Sequence, residues 1–300
     1  MGKDSTVTGV PMSKHFAVKL FEEARSGNRA RRRTMQSSIE GPKSHVGGIF
    51  IYGLLILLLT TGTYSRNRVW NSDLDLWTDC VKKSPNKDRP HYNLGNVFLD
   101  RGKYQEAINQ YKEALGINPN LVEAHNNLGN VFFHQGRYQE AIPDLEEALR
   151  INPNYAEAHN NLGNVFLSQG NYGEATNQYN EALRVNPNYA EPHNNLGNVF
   201  FDRGEYQDAI SHLNEALRIN PNYAEAHNNL GFVFLSQGRY QEAISHLNEA
   251  LRINPNYAKA HTNLGNAYFM IGNRGLALKE YEILKTMNPG LANALFQKIK

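Results

Sequence analysis

From Asp88 onward the chain repeats every 34 residues, and this period constrains the fold more than any other feature of the sequence. Six copies follow one another, at 88–121, 122–155, 156–189, 190–223, 224–257 and 258–291. Stretches as alike as Asn152–Gly170 and Asn220–Gly238 exclude a chance periodicity. A period of this length predicts a solenoid of helix–turn–helix units, in which each unit buries its apolar face against its neighbours.

Small residues recur where two helices would need to approach closely. Position eight of every copy is glycine, beginning with Gly95, and position twenty is alanine, beginning with Ala107. A second glycine, beginning with Gly102, falls where the first helix should stop and where a positive φ is tolerated. Each copy closes with Asn-Pro, beginning with Pro119, which cannot continue a helix but suits the entry to the next one.

This pattern resembles the tetratricopeptide repeat family over six copies, about 204 of 300 residues. The resemblance implies an all-α fold, a right-handed superhelical solenoid of six helix-turn-helix repeats. The first helix of each pair would line a concave surface. Residues 292–300 supply only a partial capping helix, so the last apolar face is expected to be exposed or to meet a partner.

An uncharged segment precedes the repeats. No charged residue lies between Ser44 and Ser65, and residues 46–64 are long and apolar enough to predict a single transmembrane helix. Residues 1–47 hold nine Lys/Arg against four Asp/Glu, whereas residues 88–300 hold seventeen against twenty-two. The positive-inside rule therefore predicts a basic, disordered cytoplasmic tail (1–45) and extracytoplasmic repeats, as in a bacterial periplasm. The arginines of the tail lack interleaved aromatic residues, so no nucleic-acid partner is expected.

Between the apolar segment and the first copy, residues 66–87 fit the second half of a repeat, with Trp77 and Pro85 in register. Residues 48–95 resemble the membrane-to-repeat junction of the transmembrane and tetratricopeptide-repeat O-mannosyltransferase family and its bacterial relatives. The resemblance implies a membrane glycosyltransferase as a partner. The catalytic residues of that family have no counterparts in this chain.

Asparagine is the most unusual residue in the composition, with 38 occurrences, many of them at fixed repeat positions. Position six is always asparagine, and position nine is asparagine in five copies: Asn93, Asn127, Asn161, Asn195, Asn229 and Asn263, and Asn96, Asn130, Asn164, Asn198 and Asn266. A side-chain amide has one acceptor and two donors, which match the backbone of an extended peptide. The row resembles the asparagine ladder of O-linked N-acetylglucosamine transferases, and this resemblance implies a peptide-binding role. The alternative is that these amides satisfy neighbouring helix ends or keep the inner face soluble.

Acidic residues edge the same predicted face at position two: Glu123, Glu157, Glu191 and Glu225. They favour ligands with some positive charge. Arg89 and Lys259 interrupt the acidic row at its two ends, but no basic clamp for a terminal carboxylate is evident.

Histidine recurs at position four, from His91 to His261, and again at His212 and His246. Equivalent points on neighbouring repeats lie about 10 Å apart, too far to share a metal ion, so these side chains are interpreted as packing residues. The sequence has no phosphate-binding loop, no His-Glu-x-x-His and no nucleophile elbow. It therefore predicts no enzyme, cofactor or metal, but a scaffold or adaptor that binds a polypeptide. The alternative is the non-catalytic recognition arm, or a truncated remnant, of a membrane glycosyltransferase with tetratricopeptide repeats.

Overall fold

The computed structural model describes residues 72–300, which form fourteen α-helices and, within that range, no β-strand. Helix α1 (Asp73–Lys83) comes first and α14 (Pro289–Ile299) last. Six helix pairs lie between them: α2 (Asp88–Asp100) and α3 (Tyr104–Ile117), α4 (Val122–His134) and α5 (Tyr138–Ile151), α6 (Ala156–Ser168) and α7 (Tyr172–Val185), α8 (Ala190–Asp202) and α9 (Tyr206–Ile219), α10 (Ala224–Ser236) and α11 (Tyr240–Ile253), α12 (Ala258–Met270) and α13 (Arg274–Met287). The predicted all-α solenoid is confirmed for these residues.

Within a pair, a glycine of the first helix lies against a large side chain of the second. A Cβ atom added to Gly95 would lie 2.6 Å from Tyr111 Cε1, and one added to Gly129 would lie 2.6 Å from Leu145 Cγ. Carbon atoms do not approach so closely without bonding, so only glycine allows this helix separation. The alanine at position twenty of each copy, beginning with Ala107, is fully buried on the second helix.

Two kinds of turn connect the helices. The first helix of each pair ends at a glycine with positive φ, from 68° at Gly102 to 78° at Gly272, as the sequence predicted. This conformation lets the N–H of Arg137 donate to the Phe132 carbonyl over 2.9 Å and close the helix end. Between pairs lies an Asn-Pro-Asn turn, in which the first asparagine Oδ1 accepts from the N–H two residues on, at 3.1–3.2 Å. Part of the asparagine excess therefore serves the turns.

Successive pairs stack with their first helices closer together than their second helices. Each second helix packs on the first helix of the next pair. The first helices also contact one another, α4 with α6, α6 with α8, α8 with α10 and α10 with α12, whereas no two second helices in residues 72–300 make comparable contacts. Such a stack is wedge-shaped, so the first helices line its inner, concave side.

The last helix packs on the sixth pair. Leu295 of α14 packs against Gly265, where an added Cβ would lie 2.5 Å from Leu295 Cδ2. Leu295 thus takes the place that a tyrosine or leucine of the second helix takes in the other pairs. Tyr281, which holds that sequence position, stacks instead on Phe296 with 4.9 Å between ring centroids. The sequence predicted a partial cap over 292–300 and a last apolar face that is exposed or meets a partner. In the structure, α14 lies on the sixth pair and buries Ala292, Leu295 and Ile299 there.

The predicted membrane localisation is corrected. None of the helices in residues 72–300 has the length and hydropathy that a membrane span requires. They have 11 to 14 residues, which corresponds to about 17 to 21 Å of rise, against about 30 Å for a bilayer core. The predicted transmembrane helix (46–64) and basic tail (1–45) lie outside the described residues. The finding contradicts the predicted single-pass membrane protein with extracytoplasmic repeats, and the lipid partner predicted with it is unsupported.

Candidate functional site

The sixth-position asparagines form a row of hydrogen bonds between neighbouring pairs. In each case Nδ2 donates to the fifth-position side chain of the preceding pair, for example from Asn161 to Asn126 Oδ1 at 2.9 Å and from Asn229 to Asn194 Oδ1 at 2.9 Å. The other three such bonds are Asn127 to Tyr92, Asn195 to Asn160 and Asn263 to Asn228, at 3.0–3.3 Å. We call these five bonds the amide row. It ties all six pairs together along the concave side.

The ninth-position asparagines make different hydrogen bonds because different side chains lie beside them. Asn96 Oδ1 accepts from the Tyr111 hydroxyl at 2.7 Å and from Asn127 Nδ2 at 2.9 Å. Asn164 accepts in the same way from Tyr179 and from Asn195, at 2.7 and 2.9 Å. Where the second helix carries leucine instead of tyrosine, no phenol is present. Asn130 and Asn198 make no side-chain hydrogen bond to any residue in 72–300, and Asn266 accepts from Lys298 at 3.2 Å.

The amides of the row therefore retain different hydrogen-bonding capacity. Asn127 and Asn195 each donate to two acceptors, so both of their Nδ2 hydrogens are used. Asn161, Asn229 and Asn263 each donate to one acceptor in the described chain and keep a second N–H. The predicted peptide-binding role of the eleven asparagines stays a prediction. In the structure, the position-six asparagines other than Asn93 also join neighbouring repeats.

A row of tyrosines and glutamates runs beside the amides, and the sequence reasoning missed its tyrosines. These are Tyr155, Tyr189, Tyr223 and Tyr257, each placed just before a first helix. Glu191 accepts from Tyr189 at 3.3 Å and from Asn160 Nδ2 at 3.0 Å. Burial, with nearby carboxylates, raises the pKa of all four phenols, that of Tyr257 to about 12, so they stay neutral and able to donate hydrogen bonds. Their recurrence at the last position of copies two to five could have marked them.

The fourth-position histidines join three parts of the fold instead of only packing. His125 Nε2 bonds to the Pro119 carbonyl and Nδ1 to Asp144 Oδ1, both at 3.0 Å. Burial lowers the pKa of His125, but the bonds to Asp144 and to the carbonyl outweigh it and the net shift is upward. In the first pair the second-helix partner is Gln110, 2.9 Å from His91. The sequence analysis considered only contacts between histidines of neighbouring repeats. It missed this partner, which lies in the same repeat, nineteen residues further along the chain.

In two consecutive pairs the partner is a second histidine. Nδ1 of His193 lies 3.1 Å from Nδ1 of His212, and the same atoms of His227 and His246 lie 3.2 Å apart. Each contact needs one ring to donate and the other to accept, so full protonation is disfavoured. Burial lowers the pKa of His193, His212 and His246, and the neighbouring imidazole lowers it further for His193 and His246. Within residues 72–300, no three His, Cys, Asp or Glu side chains are placed to hold a metal ion.

One cavity lies at the C-terminal end of the amide row, between α10, α12 and α14. Its volume is about 310 Å³. The amides of the row form part of its wall, and Phe232 and Leu291 contribute apolar surface. The cavity is lined by Asn228, Asn229, Phe232, Lys259, Thr262, Asn263 and Leu291.

A stack of paired helices with a polar inner row defines a helical-repeat protein that presents a concave surface. Sequence models of the family give the same class. A model described as TPR repeat matches residues 95–136, 197–238 and 233–272, and two described as tetratricopeptide repeat match 120–188 and 178–211. Together they span 95–272 without a gap, 178 of 300 residues. The chain belongs to the tetratricopeptide repeat family.

Solved structures share the fold. The match to a chain of the APC/C hetero-tetramer Cut9-Hcn1 has a TM-score of 0.71 at 24% identity. It covers 75% of this chain and 45% of that chain. The pilF protein of Pseudomonas aeruginosa has a TM-score of 0.62 at 24% identity, with 71% and 97% covered. A tetratricopeptide repeat protein of Parabacteroides merdae has 0.62 at 17% identity, with 81% and 97% covered. These identities establish a common architecture and no common function.

The curated relatives match over a short segment. Protein O-mannosyl-transferase F38B6.6 of Caenorhabditis elegans is 36% identical over 64 residues, which is 21% of this chain and 9% of that protein. Protein O-mannosyl-transferase TMTC1 of Homo sapiens is 37% identical over 62 residues, 21% of this chain and 7% of that protein. The chain thus spans less than a tenth of these relatives. The predicted likeness to the O-mannosyltransferase family is confirmed as a partial one, and its predicted location at residues 48–95 stays a prediction. That the chain is no enzyme stays a prediction.

Proposed function

We propose that the repeats bind an extended polypeptide along their concave side and act as a protein–protein interaction scaffold. The observation that carries the proposal is the continuous amide row, which places a fixed polar group on each successive first helix. Neighbouring first helices lie about 10 Å apart and an extended chain advances about 3.3 Å per residue. A ligand backbone therefore passes one first helix about every third residue.

The internal hydrogen bonds support this role because they fix the amides in advance. Asn161, Asn229 and Asn263 each use one N–H to hold the neighbouring pair and keep one for a ligand carbonyl. A donor that is already oriented loses less conformational entropy on binding. The side-chain amides of Asn130 and Asn198 are wholly available, since they have no hydrogen-bond partner in residues 72–300. Among the predicted site residues, these five are the strongest candidates for ligand contacts.

The charge of the groove selects among peptides. Glu157 and Glu225 are exposed on the first helices, and Glu123 and Glu191 are half-buried beside them. With four carboxylates along one side, a ligand with basic side chains binds better than an acidic one, and added salt weakens this preference.

The proposal is tested with the full-length chain and a fluorescent peptide of alternating serine and lysine, about ten residues long, enough to meet three amides. The variant Asn130→Ala/Asn198→Ala removes two groove amides without breaking an internal bond. At about 1 kcal/mol per hydrogen bond, we expect the dissociation constant to rise about tenfold or more by fluorescence anisotropy.

The matched control is Asn180→Ala/Asn214→Ala, which makes the same substitutions at exposed positions on the second helices α7 and α9. It should leave the dissociation constant unchanged. Equal binding by wild type, groove variant and control would contradict peptide binding through these amides.

A second candidate function is that of a non-catalytic substrate-recognition arm for a glycosyltransferase. The partial match to protein O-mannosyl-transferases, at 36–37% identity, is the observation that favours it. The test is affinity purification of the tagged full-length chain from its own cells, followed by mass spectrometry. Recovery of a glycosyltransferase that is lost in the Asn130→Ala/Asn198→Ala variant supports this function. Its consistent absence, with other proteins recovered, counts against it.

A further inference from the structure

The concave face departs from its repeating pattern at three neighbouring places. Position two is glutamate in four copies but lysine at Lys259, and position five is asparagine in four copies but threonine at Thr262. Position nine is asparagine in five copies but phenylalanine at Phe232. These three residues belong to two different repeats, yet all of them line the cavity between α10, α12 and α14. The departures therefore build one local surface unlike the rest of the groove.

This surface is more apolar than the groove. The Phe232 side chain is 39% exposed, and its ring is held against Phe201 with 5.0 Å between centroids. Leu291 of α14 lies in the same cavity wall. The Thr262 hydroxyl donates to the Ala258 carbonyl at 2.9 Å, so it offers the cavity little polar character. A volume of about 310 Å³ is at the lower end of ligand pockets, roughly 300 to 1,000 Å³, and suits one or two side chains.

The same surface carries the opposite charge to the four glutamates at position two. Lys259 is exposed at the cavity and has no ion pair or hydrogen bond to any residue in 72–300. Toward the N-terminal repeats, position two carries Glu225 and then Glu191. A ligand carboxylate is repelled along the glutamates and attracted at the lysine. At the other end of the row Arg89 is paired with Glu123 over 3.4 Å, so the carboxylate is favoured at the Lys259 end.

We propose that this cavity anchors one end of the bound polypeptide by an apolar side chain that lies next to a carboxylate. The inference deepens the peptide-binding function proposed above and rests on it. The apolar side chain contacts Phe232 and Leu291, the carboxylate pairs with Lys259, and the amides of Asn229 and Asn263 hold the backbone between them. Basic residues of the ligand then follow along the glutamates, which gives the ligand a single direction in the groove.

Four labelled peptides with a common basic N-terminal half test the proposal by fluorescence anisotropy on the full-length chain. Three have amidated C-termini and end in Leu-Asp, Leu-Asn or Ser-Asp. The fourth ends in Leu-Asn with a free carboxylate, and it distinguishes a chain terminus from an acidic side chain as the source of the charge. We expect the wild type to bind the amidated Leu-Asp peptide about tenfold more tightly than either of the other amidated peptides. The Leu-Asn peptide lacks the charge-assisted bond to the lysine, and the Ser-Asp peptide lacks the partly buried apolar side chain.

The variants restore the residues found in the other repeats, so they preserve the fold. Lys259→Glu should abolish the preference for Asp over Asn, and Phe232→Asn should abolish the preference for Leu over Ser. Lys279→Glu makes the same charge change on the second helix of the last pair and should alter neither preference. Circular dichroism of each variant confirms that it is folded.

The outcomes separate this inference from the proposed function. Wild-type binding of all four peptides with equal affinity would overturn the anchor while leaving groove binding intact. Binding of none of them would overturn both. Tight binding of only the free-carboxylate peptide supports the anchor with a chain terminus as its ligand, whereas tight binding of only the amidated Leu-Asp peptide supports an acidic side chain.

Discussion

The amide row should contribute unequally to stability, and Asn195→Ala tests this most directly. Asn195 takes part in three hydrogen bonds: Nδ2 donates to Asn160 and Asn164 at 3.1 and 2.9 Å, and Oδ1 accepts from Asn194 at 3.4 Å. Asn161 takes part in one, to Asn126.

The magnitudes follow from these counts. A typical hydrogen bond contributes about 0.5 to 1.5 kcal/mol net, and alanine is favoured over asparagine in a helix by roughly 0.6 kcal/mol. Asn160 is completely buried, and the substitution removes the donor to its Oδ1, which adds to the cost. We expect Asn195→Ala to destabilise the chain by about 2 kcal/mol and Asn161→Ala by about 0.5 kcal/mol. Asn198→Ala should cost nothing, because Asn198 has no side-chain partner in residues 72–300.

Native-state hydrogen exchange of the full-length chain is the suitable assay, because a repeat stack opens locally and each opening is read from its own amides. The amides of α6 and α8 should exchange about thirtyfold faster in Asn195→Ala than in wild type, which corresponds to about 2 kcal/mol. They should stay unchanged in Asn198→Ala. Equal exchange in the two variants would refute the reasoning that the row joins the repeats. If exchange is equal, weaker peptide binding by Asn195→Ala would be attributed to a lost ligand contact and not to a weakened repeat stack.

Two further predictions concern packing and protonation. Gly163→Ala places a Cβ 2.6 Å from Tyr179 Cε1 and should lower stability by about 1 to 3 kcal/mol. In Gly173→Ala the added Cβ meets nothing closer than 3.9 Å, so this substitution should raise stability by up to about 1 kcal/mol. Thermal unfolding of the two variants distinguishes these effects. Burial lowers the pKa of His212 and His246 in the folded chain, so the unfolded chain binds protons more tightly and stability falls as the pH drops below about 6.5. His212→Gln/His246→Gln introduces the residue that two other repeats carry there, and should reduce the loss of urea stability between about pH 7.5 and about pH 5.5. An unchanged pH dependence would contradict this assignment.

Local signals in the sequence predicted most of the architecture. The glycine that begins with Gly102 predicted a positive φ, and the Asn-Pro pairs predicted the breaks between repeats. These features depend on the backbone of a few adjacent residues, so a single copy of the repeat contains the information. The glycine at position eight likewise predicted close helix packing, and the structure identifies its partner as Tyr111 in the first pair.

Side-chain partners across repeats were harder to predict. The sequence marked Asn127 and Asn195 as ligand-binding candidates equal to Asn161. In the structure the first two have both N–H groups occupied, because a ninth-position asparagine of the preceding pair reaches them. The distinction depends on the distance between two helices that are separate in sequence, which periodicity alone does not give. The pairing of a fourth-position histidine with the second helix of its own repeat was missed for the same reason.

By itself the sequence determined that this protein is a tetratricopeptide solenoid, because a 34-residue period with glycine, alanine and proline at fixed positions leaves one way to bury each apolar face. Only the tertiary structure decided what the abundant asparagines do. Some close turns, some join neighbouring repeats, and a few keep free hydrogen-bonding groups on the concave side. It also brought Phe232, Lys259 and Thr262 together in one cavity, since residues of two repeats become neighbours only when the stack forms.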